Sequence, residues 1–493
     1  MKRNRFQWPF ILSALAASLV LLPARADAII YIVTNTNDSG AGSLRQKIAD
    51  AGANSPGPHT IFFDTPANSV ITLSSRLEVP ANLTLTIDAS APTGITLDGN
   101  NDARLIQVGN GARLSIKGLT LRNGRTTDDA GGCIASPDSS SLLRLESVLV
   151  RGCVNQQTSG SAIAGAVYAY SPLYIINSRF EGNSARNSGG PAYGGAIASI
   201  GTLEITDTTF TDNEASGAAI EAAGGALEAR AGGRLSNVHF IDNRASTGAS
   251  GVLTLGGAVR SRTTSELRIE RSLFIANSAR QGSAFEVQGG ISSFVTRLYL
   301  HDSNLVGNLG GVAASVLNVH GDIRNTTFWK NDGGSETAAH LRVAGAQSVV
   351  DAFTHNLLAT VEGALPACDL AALPATQAGS GRNLFPDPSC AALALDSTTW
   401  TGSFHIRALR RPDGNSAGVP AVELLAGSPA IDGGIADPAS AAAAARCTSG
   451  DVRGVMRPRD GNADGLAVCD IGALETGREA SLFADDFDVV LLR

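Results

Sequence analysis

Short runs in which apolar and polar residues alternate recur along the middle of the chain. Leu173-Tyr-Ile175 and Leu203-Glu-Ile205 are two of them, and a period of two is the mark of a strand with one buried face. Each run leads into a Phe-x-x-Asn tetrad: Phe180 with Asn183, Phe210 with Asn213, Phe240 with Asn243, and Phe274 with Asn277. The asparagines stand 30, 30 and 34 residues apart, and Ala185, Ala215, Ala245 and Ala279 follow each by two. Leu305 to Asn308 and Phe328 to Asn331 continue the frame with looser spacing, and 30-residue steps back from Asn183 reach Cys153 and Asn123. A second signature keeps the same period: Gly194-Gly-Ala-Ile197, Gly224-Gly-Ala-Leu227 and Gly256-Gly-Ala-Val259, with Gly131-Gly-Cys-Ile134 and Ala164-Gly-Ala-Val167 as variants.

No unit holds an unbroken helical run of 10–12 residues, which excludes helical solenoids. Propeller blades need about 40–50 residues. Short strands, tight turns and one repeat per turn predict an all-β chain wound as a parallel β-helix, with neighbouring turns about 4.8 Å apart. The phenylalanines would then stack inside, each contributing about 1.5–3 kcal/mol by burial. Asn183, Asn213, Asn243 and Asn277 suit left-handed turn positions, and the Gly-Gly pairs suit positive-φ corners with close backbone approach.

The flanks extend this reading. Residues 29–34 read as a strand, and Ser43 with Gln46 forms a capping box that opens a short helix to Ala53, with Leu44 and Ile48 on one face. Such a helix would cap the open sheet end. Beyond about Asn356 the period fails, and Leu365–Pro388 and Ala439–Ala445 read as loops or linkers. The expected boundaries are a signal peptide over 1–28, an N-terminal cap over 29–64, repeats over 65–360, an irregular region and C-terminal module over 361–475, and a tail over 476–493.

Composition supports β structure. Glycine is 55 of 493 residues, charged residues are 17 % and hydrophobic residues 43 %, so a core is affordable and helix is disfavoured. The net charge of −7 argues against a nucleic-acid partner. Lys2, Arg3 and Arg5 precede the apolar run Phe10–Leu22, and Ala28 or Ala26 suits cleavage. Removing residues 1–28 takes away four cations and one anion, a net +3, and leaves a mature chain near −10 with no further apolar span. The expectation is an exported monomer, extracellular or at a bacterial surface, with outer membrane or periplasm as alternatives. Export makes the six cysteines readable as disulfides. They fall as Cys133/Cys153, Cys368/Cys390 and Cys447/Cys469 with gaps of 20, 22 and 22. Fifteen connectivities exist, of which neighbour pairing is the expected one; no C-x-x-C favours zinc instead.

The Phe-x-x-Asn and Gly-Gly-Ala-[Ile/Leu/Val] pairs resemble the repeats of chlamydial polymorphic outer-membrane proteins and of bacterial right-handed β-helix proteins. Val33-Thr-Asn-Thr-Asn-Asp-Ser-Gly-Ala-Gly-Ser-Leu-Arg-Gln46 resembles the start of exported proteins of the CSLREA type. Ser428-Pro-Ala-Ile-Asp-Gly-Gly434, Asp451-Val-Arg-Gly454, Arg457-Pro458 and Cys469-Asp-Ile-Gly-Ala-Leu-Glu475 look like the choice-of-anchor Q module. The resemblance implies a right-handed, pectin-lyase-like β-helix that is secreted or surface-displayed, closed by a C-terminal disulfide-bonded module, and it implies no catalytic residues. Such a module often precedes a surface anchor; 18 residues follow Glu475 here, a departure that bears on attachment.

Candidate chemistry is sparse. Gly414-Asn-Ser-Ala-Gly418 matches a nucleophile elbow but reads better as a glycine-rich turn. The seven histidines show no zinc-hydrolase spacing. Asp212 and Asp242 share a repeat slot, and stacking would bring their carboxylates close enough for a glycosidase pair or a cation, although Asp beside Asn is also a turn preference. Asp128-Asp129 reads as solvated charge. Asp460, Asn462 and Asp464, with Gly465, match the start of a calcium loop, but Ile471 stands where the closing glutamate belongs. Calcium is thus the one cofactor suggested, and an Asp/Gly turn is the plainer alternative. Binding or adhesion to carbohydrate or a cell surface is the expected function. A polysaccharide lyase or glycoside hydrolase is the alternative. An autotransporter passenger would need a C-terminal membrane barrel, which the remaining chain is expected to be too short to form. An enzyme on this fold should show a non-repetitive cluster of acids with Arg or Lys on one outer face, and none stands out in the sequence.

Overall fold

The computed structural model of the chain describes residues 28–290, 295–334, 338–359, 365–370, 381–393, 396–408, 422–435 and 446–477. The segment 1–27, where a signal peptide is expected, Gly414–Gly418, Ala439–Ala445 and nearly all of the expected tail lie outside the described residues.

The chain winds into a parallel β-solenoid. One coil shows the unit: Leu173–Ile176, Arg179–Glu181, Ser184–Asn187, Ala192–Tyr193 and Ile197–Ser199. Each strand pairs in parallel with its equivalent a coil later, Leu173 with Leu203, Phe180 with Phe210, Ala185 with Ala215, Ala192 with Ala222 and Ile197 with Leu227. The first two strands of each coil build a 23-stranded sheet, the long sheet, and the last builds an 11-stranded sheet. The main apolar core lies between them. The long sheet runs from Ile30–Val33 to Asp396–Thr399, past both ends of the legible repeat, because backbone pairing does not need the side-chain period.

The third and fourth strands build a five- and a four-stranded sheet. These two sheets form a thin arm with a small apolar cluster of Ala162, Ala185, Ala192 and Ala215. The Gly-Gly-Ala signature marks where this arm returns to the solenoid. Gly194 has φ +64° and Gly224 φ +63°, the left-handed region that glycine occupies without steric cost. A Cβ on the next glycine, Gly195, would stand 1.9 Å from the Gly225 carbonyl oxygen and 2.5 Å from the Glu214 backbone. Only glycine fits this pinch.

Inside, Phe180, Phe210, Phe240 and Phe274 are fully buried and stacked, with ring centroids 4.9, 5.0 and 4.9 Å apart. The asparagines behave differently from the sequence expectation. The left-handed position is the residue before each of them: Gly182, Asp212, Asp242 and Ala276 have φ between 53° and 60°. The asparagine side chains instead turn inward as a ladder. Asn213 Nδ2 donates to the Phe180 carbonyl at 3.0 Å and to Asn243 Oδ1 at 2.9 Å, while Asn243 Oδ1 also accepts the Asn213 backbone N–H. The pattern continues through Asn277, Asn308 and Asn331. An amide both donates and accepts, so identical residues can chain along the axis.

Cys133–Cys153, Cys368–Cys390 and Cys447–Cys469 are disulfide-bonded. Cys153 occupies the slot before the ladder begins, and its N–H donates to Asn183 Oδ1 at 3.0 Å. At the N-terminal end, Ser43 caps the helix Leu44–Ala53 by accepting from the Gln46 N–H. The Gln46 side chain bonds Asp50, so only half of the capping box forms. Leu44, Ile48 and Ala51 face the solenoid. No helix among the described residues is long and apolar enough to cross a membrane.

Candidate functional site

The residue after each Gly-Gly-Ala-[Ile/Leu/Val] points outward from the 11-stranded sheet. In successive coils this slot holds Ala198, Glu228, Arg260 and Glu286. Three charged residues occupy this slot in consecutive coils, and here the structure supplies the outer-face charge cluster that the sequence reading missed. Arg260 Nε lies 3.2 Å from Glu286 Oε1. Glu228 Oε1 receives Arg262 Nη2 at 3.1 Å and Arg230 at 3.4 Å, and Arg262 also reaches Glu221 on the arm at 3.1 Å. Arg230 and Arg262 both sit over the Tyr193 ring, 5.5 and 5.3 Å from its centroid. Burial pushes the Glu286 carboxyl up to about 7 against the pull of Arg260. Glu228, Arg260 and Glu286 are nevertheless buried to within 2 %. A polymer has no access to them, so this cluster is a lock that ties the arm to the sheet and holds Arg230 and Arg262 in place.

The accessible chemistry is on the outer face of the long sheet. Strands Arg297–His301, His320–Arg324 and Val349–Thr354 stack there, and alternation turns Arg297, Tyr299, His301, His320, Asp322 and Arg324 outward. His301 Nε2 is 2.9 Å from Asp322 Oδ1, and Arg324 grips the same carboxylate with Nε at 2.6 Å and Nη2 at 2.8 Å. Burial opposes ionisation of Asp322, but these donors outweigh it and hold the group below the usual carboxylate range. Arg268 stacks on Tyr299 at 4.0 Å, and Tyr299 meets His301 edge-on at 5.9 Å.

Here the solenoid departs from its repeat. The asparagine ladder steps 23 residues from Asn308 to Asn331, against 30 to 34 over the preceding steps. A bulge falls between the pairs Gly321–Val350 and Asp322–Ala352, leaving Asp351 as the extra residue. Bulges re-aim side chains, and Asp351 lies 3.5 Å from both Arg297 and His320. A groove of about 310 Å3 lies on the preceding coils, lined by Glu204, Arg234, Glu266 and Arg268. Arg268 belongs to both.

The C-terminal module docks beside this face. Thr448 bonds Asp302 and Asn325, and the Ala473 N–H donates to Thr327. Val452, Ala473 and Leu474 pack on Leu273. The motif residues quoted above form its buried knot: Arg457 pairs with Glu475 at 3.0 Å, donates to the Asp470 and Gly472 carbonyls, and lies 3.7 Å from Asp302. Asp451 accepts Arg453 and the Glu475 N–H. Burial raises Asp302 and Asp470 to about 6 and Glu475 to about 7, Arg457 opposing each.

A carboxyl raised on folding adds stability below its unfolded pKa and loses it as pH rises through the folded value. Glu286 and Glu475 therefore weaken the fold as pH passes about 7. Burial lowers His340 to about 4 and His355 to about 3; they act oppositely, but only below their unfolded value near 6.5. The melting temperature should fall between pH 6.5 and 8.5 in a thermal scan; a rise across that window would contradict these assignments.

The other sequence candidates fall apart from this face. Asp129 pairs with buried Arg104 at 3.1 Å, a structural role. Asp212 and Asp242 are close enough for burial and Asp212 to raise Asp242, yet both hold left-handed turns. In the Asp460–Asp464 loop, Asp460 accepts the Gly465 N–H, Asp464 accepts the Leu466 N–H and Asn462 accepts the Asp464 N–H. Among the described residues no group of three or more His, Cys, Asp or Glu is placed to hold a metal. Of the histidines, His59, His340 and His355 are buried, His405 is exposed, and His301 and His320 share the long-sheet face.

No family model matches the chain, and no curated protein matches it; the resemblance to CSLREA and choice-of-anchor proteins rests on its motifs. Among solved structures, an arginine-to-alanine mutant of the PL6 family alginate lyase AlyGC is similar at 13 % identity and TM-score 0.38, covering 80 % of this chain and 55 % of that one. The structure of AlyGC itself is similar at 14 % identity and TM-score 0.34, covering 72 % and 51 %. The chain thus spans about half the length of each, and at this level of similarity the comparison adds nothing to the choice of site residues.

Proposed function

We propose that the protein is an exported β-solenoid that binds polysaccharide along the outer face of its long sheet, centred on Arg297, Tyr299, His301, His320, Asp322 and Arg324. The observation that carries this reading is the coincidence of one partly exposed Arg/Tyr/His/Asp array with the shortened coil and the Asp351 bulge. Planar guanidinium and carboxylate groups present paired donors and acceptors that match sugar hydroxyls, and the adjoining groove lengthens the surface for a polymer. The disulfides fit an oxidising compartment, so secretion or surface display belongs to the same proposal. A display or adhesion role is the form it takes where binding occurs without turnover.

A panel of alginate, polygalacturonate, cellulose, chitin and dextran, measured by affinity electrophoresis, tests it. At least one polymer should retard the wild type, and Arg297→Ala with Tyr299→Ala should weaken that binding by about 10-fold or more, as losing about 1.4 kcal/mol of contact does. Retardation by none, or retardation unchanged in the double variant, would remove this face as the site. Calcium at the Asp460–Asp464 loop is a separate proposal: it stands only if millimolar calcium raises the melting temperature over EDTA and Asp460→Ala with Asp464→Ala abolishes the rise.

A further inference from the structure

We propose that His301 is the general base of a β-elimination on a uronate-containing polysaccharide held over Arg297 and Tyr299, an inference that rests on the carbohydrate reading above. The geometry is that of an oriented base. Asp322 sits 2.9 Å from His301 Nε2 and is itself fixed by the Arg324 fork. A carboxylate there accepts the Nε2 proton, so the lone pair resides on Nδ1. Among the described residues Nδ1 makes no hydrogen bond, and the His301 side chain is 18 % exposed.

The remaining groups select the reaction. Glycoside hydrolysis needs two carboxyl groups open to the substrate, whereas on this face Asp322, Glu266 and Glu270 are closely paired with Arg or His and Asp351 alone makes only looser contacts, at 3.5 Å. Proton abstraction beside a carboxylate needs one base and one cation instead. Arg297 is half-exposed, touches Asp351 only at 3.5 Å, and stands on the same strand face as Tyr299 and His301, so it can take a uronate carboxylate. His301 Nδ1 then removes the C5 proton, the C5–H electron pair forms the C4=C5 double bond, and the C4–O glycosidic bond breaks. The leaving oxygen takes back a proton, from the imidazolium or from the Tyr299 hydroxyl. The products are an unsaturated uronate end and a new reducing end, and no water or oxidant is consumed. Asp322 and Arg324 are positioning residues in this scheme.

The test incubates the full chain with polygalacturonate and polyglucuronate, with dextran as a control lacking carboxylates, and follows both the ultraviolet absorbance of unsaturated ends and binding. The wild type should release unsaturated ends from a uronate polymer and none from dextran. His301→Ala and His301→Gln should each lower kcat by about 100-fold or more, as loss of a general base does, while each variant still binds the polymer with an affinity loss far smaller than its loss of kcat. Asp322→Asn should lower kcat with KM unchanged. Binding without unsaturated ends overturns the elimination and leaves the binding proposal standing. Reducing ends without unsaturation would show hydrolysis and also overturn it. Absence of binding to any polymer fails the underlying reading instead.

Discussion

Asn243→Ala should cost the solenoid several kcal/mol. The substitution removes three buried bonds at once: the Asn213 backbone N–H and one Nδ2 hydrogen, both of which donate to Asn243 Oδ1, lose their acceptor, and the Phe210 carbonyl loses the donor Asn243 Nδ2 at 3.0 Å. Each buried polar group left without a partner costs about 1–3 kcal/mol. Asn243 is fully buried, so water does not replace the missing partners without opening the coil. Urea unfolding should show a lower midpoint with the same slope, and amide exchange should accelerate in the two coils that flank residue 243. A midpoint within error of the wild type would show that the ladder is incidental to stability.

The second large effect is expected in the neighbouring column. Phe210→Ala removes the middle of a three-ring contact, with Phe180 at 4.9 Å on one side and Phe240 at 5.0 Å on the other. Truncating a buried phenylalanine costs about 3–5 kcal/mol, the transfer loss plus the cavity left behind. The stacked coils above and below are held by continuous parallel pairing, so they are not free to collapse into the hole. A solenoid transmits such damage mainly to adjacent repeats, and exchange should therefore quicken around residues 180 to 240 before it does at the N-terminal helix. Uniform acceleration over the whole chain would argue for a single cooperative unit.

The solenoid was readable because two motifs kept one period, and a period is visible in one dimension. Phe180, Phe210, Phe240 and Phe274 occupy the interior column that their spacing predicts. What Asn183 and its equivalents do was not readable, because Asn suits a left-handed turn as well as a side-chain ladder, and only the fold decides between them. Asp212 and Asp242 hold the turn conformation that had been expected of their neighbours.

The candidate site was hidden for a different reason. His301 and Asp322 lie 21 residues apart, and Arg297 and Asp351 54 apart; they meet only because a shortened coil and a bulge change the register there. No local spacing carries that. One signal was present and unread: the slot after each Gly-Gly-Ala signature runs through Glu228, Arg260 and Glu286 in consecutive coils, and a ladder of alternating charge predicts cross-strand ion pairs. The C-terminal motif around Asp451, Arg457, Asp470 and Glu475 was legible as a pattern. Its work, a buried knot that docks the module beside the long sheet, depends on partners such as Asn325 and Asp302, which are more than 120 residues away.

The claim that the long-sheet face is where polysaccharide binds is tested most directly by histidine footprinting. Diethyl pyrocarbonate modifies imidazoles that solvent reaches, and His301, His320 and His405 are the ones to follow: the first two are partly buried on the proposed face, and the third is exposed and not among the residues proposed to bind. With a saturating concentration of whichever panel polymer binds, modification of His301 and His320 should slow by about 10-fold, an effective loss of about 1.4 kcal/mol of accessibility, while His405 is unchanged. Equal rates at all three histidines with and without bound polymer would place the ligand elsewhere and contradict the account.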